Sequence, residues 1–577
     1  MSARTHYVAP NGSDRGAGSE EAPFATVQHA ADVARSEDRV LIKTGTYYER
    51  VVVRNSGTTF EGERGADGSW QTVIDGSEPI SGWSPADGLA NGVYQTTDPG
   101  YEPYTMLSNN KQIPRIKNPS MEADGLEKLQ RPSDFEVELP YDGGTIRYWD
   151  GIEALFRVHE GTTFIRFRDG AHPDTMGLRT GPEEPVILIR DKSEVVIRDL
   201  RLQGGYYSVL IEGEGACNNI VEQNDLLHGK MNVYVRDLAS GNHIRHNEMK
   251  PHIYACGDPF PWETGAWGGA QQTDYRYAIR QNFYSNSLKR NVTATDRCVF
   301  LINAGDDNEV YGNLMRDGIG GVGTEVTATT NYTLEGRASK ARYGRNLKIY
   351  DNVIHNMSST GIRTAGGEAN LQVYGNAVYD CNINFRIHDP SVGPIYIYRN
   401  RFVNPQLGNT HMYRFFRGPD DYEFPLSQYV HPDIYIYHNS FAGGSHALRV
   451  SGYGGRMGGI PNTLLLNNIM DVPNPVSLQR SWEYDGPASF AHMDYNWTRQ
   501  ELREGWGGAH NIVSPEAAWT AYPPDFGSIP LDARGTGLDL TRPFRAGGKD
   551  YAPLPGPSHG PGPDMGALQV DPVTERE

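Results

Sequence analysis

Two acidic residues in the middle of the chain stand where paired carboxyl groups could cleave a glycosidic bond. Glu325 lies twelve residues after a repeated asparagine, and Asp389 follows His388 at nearly the same distance from a later one. Hydrolysis of a glycosidic bond uses two carboxyl groups, about 5 Å apart for retention and about 6.5–9.5 Å apart for inversion. Glu368 lies between the two acids in the sequence. The predicted catalytic residues are Glu325, Asp389, His388 and Glu368.

A second set of side chains, rich in arginine, offers a different chemistry. It consists of Arg236, Arg363, Arg386, His388, Arg414 and Arg449, at similar positions in the repeats. These cations could pair with neighbouring acids, or they could bind the carboxylates of a uronic-acid polymer through two parallel hydrogen bonds each. A basic residue would then abstract the proton beside the carboxylate, as a polysaccharide lyase requires. We expect Arg236, Arg363 and Arg386 to bind substrate.

An acidic run offers oxygen ligands for a cation. Asp306, Asp307 and Glu309 fall within "NAGDDNEV", and hard carboxylate oxygens suit calcium. The same letters are typical of an ordinary turn. We therefore expect no required cofactor, with calcium as the alternative.

Three insertions, near 251–277, 323–343 and 405–430, interrupt the same part of the repeat. The first contains Tyr254, Trp262 and Trp267. Aromatic rings of this kind stack against sugars, but they also pack loops onto a core. If the rings stack against sugars, these three residues bind substrate and the insertions form the wall of a glycan cleft.

The repeat itself predicts the fold. Its marker is an asparagine, which we call the repeat asparagine, found at positions 224, 247, 282, 313, 352, 376, 400, 439 and 468. The shortest intervals are 23 and 24 residues, and each unit contains short segments that alternate apolar and polar residues. This pattern predicts a parallel β-helix with about three strands per coil and coils about 4.8 Å apart. Glu325 and Asp389 would then lie two coils apart, about 9.6 Å, which suits inversion. The asparagines are expected to stack and to accommodate left-handed backbone at a corner.

The two segments that depart from the repeat predict a cap and an insertion. "PFATVQHAADVAR" has the alanine spacing of a short helix that would cover the first coil. Residues 81–185 lack the repeat and contain hairpin patterns, which predicts an antiparallel β-sandwich of ordinary domain size. The β-helix would therefore comprise residues 1–80 and 186–577.

Composition limits the partners. The chain has 577 residues, a net charge of −18 and a pI of about 5.4, which argues against a nucleic-acid partner. It contains no long apolar run to span a membrane, and its first residues lack the apolar core of a signal peptide. We expect a cytoplasmic protein, or alternatively a secreted or periplasmic one whose signal has been removed. The oligomeric state is left open.

The opening "HYVAPNGSDRGAGSEEAPFATVQHAADVA", the strands that follow and the closing "DMGALQ" resemble right-handed parallel β-helix, pectin-lyase-like carbohydrate enzymes. The insertion after "VIDGSEPISGW" resembles the layout of glycoside hydrolase family 120, β-xylosidases with a β-sandwich inserted into a β-helix. That resemblance implies one catalytic carboxylate twelve residues after a repeat asparagine and a partner on the next coil. Glu325 matches the first position. Thr364 stands at the second, and His388 followed by Asp389 comes one coil later.

These observations predict a carbohydrate-active enzyme that cleaves glycosidic bonds, with a glycoside hydrolase as the first choice. A polysaccharide lyase that uses the arginine and histidine row is the alternative. A third class is a solenoid that binds glycans without cleaving them.

Overall fold

The computed structural model describes most of the chain. The described residues are 3–89, 91–113, 115–116, 137–138, 145–146, 154–251, 254–255, 297–325, 344–357, 359–365, 368–388, 393–405, 408–415, 433–453, 462–478, 492–502, 507–519, 529–556 and 563–567. They form a right-handed parallel β-helix with an antiparallel β-sandwich and a short N-terminal helix, as the sequence predicts. No helix in these ranges has the length and apolar character needed to cross a membrane.

The chain divides into two compact units. Unit 1 comprises Met1–Leu301, Asn313–Gly321 and Asn356–Ser359, and unit 2 comprises Ile302–Gly312, Val322–His355 and Thr360–Glu577. Each strand belongs to the unit that holds most of its residues.

Unit 1 contains coils with one strand in each of three parallel sheets. The first sheet has strands Thr5–Val8, Arg39–Ile42, Thr59–Gly62, Val196–Arg198, Ile220–Glu222 and His243–Arg245. The second has Val51–Val52, Pro185–Arg190, Tyr207–Glu212, Met231–Arg236 and Arg297–Ile302. The third has Gly45–Tyr47, Thr72–Asp75, Arg201–Gln203, Asp225–Leu227, Glu248–Lys250 and Leu314–Gly318.

The α-helix Val27–Val33 packs at the start of unit 1 through the buried residues Val27, Ala30 and Ala31. The side chain of Thr26 caps it by accepting a hydrogen bond from the backbone of His29. Both carboxylate oxygens of Glu49 accept hydrogen bonds from the first backbone N–H groups of the helix, at 2.8 Å each. The predicted capping helix is confirmed.

The inserted segment of unit 1 forms two antiparallel sheets. One contains Glu78–Pro79, Thr105–Ser108, Lys111–Ile113 and Leu178–Gly181. The other contains Ser84–Pro85, Val93–Thr96, Ala154–His159 and Thr162–Phe167, and it also takes up Arg115–Ile116 and Tyr254–Ala255 in parallel. A separate pair is Val137–Glu138 with Thr145–Ile146, and a 3-10 helix spans Pro173–Thr175. The two sheets share one buried core, to which the first contributes Met106 and Leu178 and the second contributes Phe156, Ile165 and Phe167. The two sheets therefore form a sandwich.

Unit 2 also has three parallel sheets. The first contains Glu309–Tyr311, Lys348–Tyr350, Leu371–Tyr374, Ile395–Tyr398, Ile434–Tyr437, Thr463–Leu466 and His492–Asp494. The second, which we call the site sheet, contains Val322–Glu325, Thr360–Ala365, Ile383–His388, Gly408–Phe415, His446–Tyr453 and Asn474–Leu478. The third contains Val353–Met357, Ala377–Tyr379, Arg401–Val403, Ser440–Ala442, Ile469–Asp471, Trp497–Thr498 and Ile512–Val513. The 3-10 helix Leu531–Ala533 and the hairpin Phe544–Ala546 with Lys549–Tyr551 follow.

The repeat asparagines of unit 2 form the predicted ladder. The side-chain amide of Asn352 donates to the side-chain oxygen of Asn376 at 3.0 Å, and Asn376 donates to Asn400 at 2.9 Å. The same contacts continue through Asn439 and Asn468. Every one of these asparagines is fully buried, so the ladder satisfies backbone groups that would otherwise lack partners.

The corner conformation differs from the expectation. The left-handed residue is the one before each repeat asparagine, for example Asp351 with φ 52° and Arg399 with φ 56°. The asparagine itself points inward and holds the turn by hydrogen bonds. In unit 1 the ladder passes directly from Asn247 to Asn313, with the backbone of one bonded to the side chain of the other at 3.0 Å. Asn282, which the sequence analysis counts as a further repeat asparagine, lies outside the described residues. Because Asn247 bonds directly to Asn313, the number of repeat asparagines exceeds the number of coils by one in this part of the chain.

Candidate functional site

The alternation of the site sheet decides which side chains face outward. Phe385 stacks on Phe402 inside the coil, and its register partner Ile362 is also fully buried. Because neighbouring residues in a strand point to opposite faces, Arg363 and Arg386 face outward. The register pairs these two arginines directly.

Glu325 ends its strand on this outer face. Its carboxylate lies 3.2 Å from the guanidinium of Arg363, between Oε2 and Nη1. The Glu325 side chain is 20% exposed and the Arg363 side chain 9% exposed, so the carboxylate reaches solvent while its partner is nearly buried. The backbone oxygen of Glu325 accepts a hydrogen bond from Asn303 at 2.9 Å, which fixes the end of the strand.

His388 lies on the same face, at the end of its own strand. Burial lowers its pKa well below the ordinary value, and the positive charges of Arg363 and Arg386 lower that pKa further. The imidazole is therefore neutral near neutral pH, which is the form that can accept a proton. The structure thus brings Glu325, Arg363, Arg386 and His388 together on neighbouring coils of one sheet.

The register corrects one position taken from the spacing. Ala365, rather than Thr364, is the partner of His388. Thr360 pairs with Ile383, so the coil that begins at Asn352 has one more residue before this strand than the coil that begins at Asn376. Thr364 consequently points inward, where it is 1% exposed.

Glu368 occupies a different environment. It is 3% exposed and accepts a hydrogen bond from the hydroxyl of Thr324, which is itself buried beside the outward-facing Glu325. Burial is the largest effect on Glu368 and raises the pKa of its carboxyl group. The raised pKa favours the protonated form of Glu368. The hydrogen-bond partner of Glu368 is Thr324, whose side chain faces the inside of the coil.

The remaining predicted site residues are placed as follows. Asp389, Trp262 and Trp267 lie outside the described residues. For Tyr254 the structure gives the backbone, which pairs in parallel with Arg115 of the inserted sandwich. Arg236 lies in unit 1, where its Nε donates to Glu212 at 2.7 Å and lies 3.3 Å from Asp237.

The acidic run at 306–309 makes structural contacts between coils. Asp306 accepts a hydrogen bond from the backbone of Arg345 at 3.0 Å, and Asp307 accepts one from Asn346 at 2.8 Å. Glu309 bonds to Lys348 at 2.7 Å. Within the described ranges no group of three or more acidic, histidine or cysteine side chains is arranged to hold a metal ion.

Sequence reasoning missed two features of this face. The register partner of Arg386 on the next coil is His411, whereas the predicted row names Arg414, which pairs with Gly452. The ion pair between Glu325 and Arg363 was also missed. Strand alternation could have found this register position, because Met412 beside it is the inward apolar residue.

No protein-family model matches the chain. The uncharacterized protein YwoF of Bacillus subtilis is 48% identical over 52 residues, which is 9% of this chain and 11% of that protein. The match therefore spans a small fraction of either protein.

Solved structures resemble the chain over most of its length at low identity. A complex of XylC with xylose is 14% identical, covers 89% of this chain and 86% of its own, and gives a TM-score of 0.49. Pectate lyase Pel9A is 10% identical, covers 99% and 97%, and gives 0.42. The A-module of the mannuronan C-5 epimerase AlgE4 from Azotobacter vinelandii is 10% identical, covers 88% and 100%, and gives 0.37.

Proposed function

We propose that this chain is a carbohydrate-active enzyme that cleaves glycosidic bonds on the outer face of the site sheet. The observation that carries the proposal is the arrangement of Glu325, Arg363 and His388. A solvent-accessible carboxylate is held by a nearly buried guanidinium, and a neutral imidazole lies on a neighbouring part of the same face. A histidine whose pKa is lowered by burial and by specific charged neighbours is a mark of catalytic sites.

The first-choice reaction is hydrolysis. Glu325 serves as one carboxyl group of the pair, and its ion pair with Arg363 fixes the direction in which its second oxygen points. Asp389 is proposed as the second carboxyl group, because it directly follows His388 in the chain. Glu368 is the other candidate for the acid, since its raised pKa favours the protonated form that a general acid needs.

A specific observation favours elimination as the second candidate. His388 is kept neutral by burial and by two guanidinium groups that are placed to attract a carboxylate. In that reaction the imidazole accepts the proton beside the uronate carboxylate and the adjacent carbon–oxygen bond breaks. A carbon–carbon double bond forms, and the departing oxygen takes a proton from water.

The test of the site is Glu325→Gln, which keeps the shape of the side chain and removes its ionisable group. We expect turnover to fall roughly 100-fold or more if the carboxyl group takes part in proton transfer or attack. The measurement is the initial rate of glycan cleavage, with thermal unfolding to show that the variant is folded.

The matched control is Glu309→Gln in the same unit. Glu309 lies on the first sheet and bonds to Lys348 and Tyr350 rather than to the site. This variant should keep the wild-type rate. Equal rates for Glu325→Gln and the wild type would remove Glu325 from the mechanism.

A further inference from the structure

A buried carboxyl group lies on the inner side of the strand that ends in Glu325. The side chain of Glu368 accepts a hydrogen bond from the hydroxyl of Thr324, and these two residues are 3% and 2% exposed. Hydrogen bonds from the backbone N–H groups of Glu368 itself and of Ala365 act on the same carboxyl group. The carboxyl group is therefore held from within the coil, away from a substrate on the outer face.

The end of this strand contacts the next coil from both of its faces. On the inner face Thr324 bonds to Glu368. On the outer face the carboxylate of Glu325 lies 3.2 Å from the guanidinium of Arg363. Adjacent residues of a strand point to opposite faces, so the two contacts hold one strand end from its two sides. If the inner contact is lost, the strand end can shift, and Glu325 shifts with it.

The inner contact is costly to lose because it is buried. Water does not replace the partner of a buried hydroxyl or carboxyl group, so removing either group leaves the other without this hydrogen bond. Burial also raises the pKa of Glu368 and favours its neutral form. A neutral carboxyl group can accept the hydrogen bond of Thr324 without placing a charge inside the coil.

We propose that Glu368 is a positioning residue that holds the end of this strand through Thr324. It thereby keeps the carboxylate of Glu325 against Arg363, and it does not transfer a proton to the substrate. This inference rests on the proposed function. It leaves Asp389 as the partner of Glu325 in hydrolysis.

Two substitutions of Glu368 separate positioning from acid catalysis. Glu368→Ala removes the acceptor of the Thr324 hydroxyl, and kcat should fall about tenfold with little change in KM, because a displaced reacting group is felt mainly in the transition state. Glu368→Gln keeps an oxygen that can accept this hydrogen bond but has no acidic proton, so it should restore most of the lost kcat. A general acid would lose roughly 100-fold or more in both variants. A loss of that size in Glu368→Gln would overturn the inference.

Thr324→Val tests the inner contact from its other side, since valine has nearly the shape of threonine and lacks the hydroxyl. This variant should also lose about tenfold in kcat. Combined with Glu368→Ala it should lose no more than either change alone, because both remove the same contact. A wild-type rate in Thr324→Val, or losses that multiply in the double variant, would also reject the positioning role.

The matched control is Thr364→Val. Thr364 follows Arg363, whose register partner Gly323 precedes Thr324, so the two threonines occupy corresponding inward positions on neighbouring coils. Thr364→Val should keep the wild-type rate. Thermal unfolding of every variant shows that it is folded.

A measurement that does not depend on cleavage separates this inference from the proposed function. In crystal structures, the contact between Glu325 and Arg363 should be present in the wild type and lost in Thr324→Val. If it is lost while the wild type cleaves no glycan, the proposed function is rejected and the positioning of Glu325 stands. If the wild type cleaves glycans, and Thr324→Val keeps both the contact and the rate, the positioning role is rejected and the enzyme stands.

Discussion

At the residue scale, the buried His228 leads us to expect that the stability of unit 1 depends on pH. His228 in unit 1 is buried, and its Nδ1 lies 3.1 Å from the side-chain oxygen of Gln112. Burial lowers the pKa of His228 from 6.5 to about 3, with smaller contributions from Lys250 and Arg201. Between those two values the unfolded chain binds a proton that the folded chain does not. The free energy of unfolding therefore falls as the pH drops through this window.

Replacing His228 with Asn should flatten that dependence. The wild type should lose about 1.4 kcal/mol more per pH unit than the variant between the folded and unfolded pKa values. Urea unfolding at several pH values inside the window measures the difference. His246→Asn is the matched control, because His246 is exposed and has a similar left-handed backbone, with φ 54° against 62° for His228. Parallel curves for the wild type and the His228 variant would contradict this account.

At the residue scale, sequence reasoning named part of the proposed site. The spacing from the repeat asparagine singled out Glu325, and the strand pattern singled out Arg363, Arg386 and His388. The prediction for Thr364 failed because its coil contains one additional residue, which shifts the register. Counting from the repeat asparagine does not show where an additional residue is accommodated. It failed to pair Glu325 with Arg363 because a contact between coils depends on that same register.

At the scale of the element, the asparagine ladder is the feature that defines each coil. The Asn376 side chain donates to the backbone oxygen of Ile349 at 2.9 Å and to Asn400 at 2.9 Å. Its oxygen accepts hydrogen bonds from the backbone and the side chain of Asn352, at 3.1 and 3.0 Å. All of these groups are buried, so water does not replace a lost partner.

Asn376→Ala should therefore destabilise unit 2 strongly. Removing the amide leaves at least two buried backbone groups without partners, which should cost about 3 kcal/mol or more. Chemical denaturation measures this change, with the exposed Asn91→Ala as the control. If Asn376→Ala lowers the free energy of unfolding no more than the control does, the asparagine ladder does not stabilise the fold.

The elements also mark a limit of the sequence prediction. Asparagine was expected at the left-handed corner because it tolerates that conformation, yet Arg399, His438 and Tyr495 take it instead. Arginine and tyrosine seldom adopt positive φ, so composition alone gives no signal at Arg399 and Tyr495. The hydrogen bonds of the asparagine that follows hold the backbone in place.

At the scale of the whole molecule, local patterns predicted the main architecture. The short repeat predicted the parallel sheets, and the hairpin patterns of a segment that lacks the repeat predicted the sandwich. The pairing of Tyr254–Ala255 with Arg115–Ile116 was not predicted, because it joins segments far apart in the sequence and no local pattern encodes it. The division into a sandwich at 81–185 and a β-helix around it stays a prediction, as do the catalytic and substrate-binding roles of all the predicted site residues.

The central claim is that this molecule cleaves glycosidic bonds, and one measurement tests it most directly. The wild-type protein is incubated with a panel of acidic and neutral glycans while reducing ends and near-ultraviolet absorbance are followed together. The proposed function predicts new reducing ends from at least one glycan of the panel. Absorbance stays flat if the reaction is hydrolysis and rises if it is elimination, because only elimination creates an unsaturated uronate. Binding of these glycans with no new reducing ends would contradict the account and leave a glycan-binding solenoid.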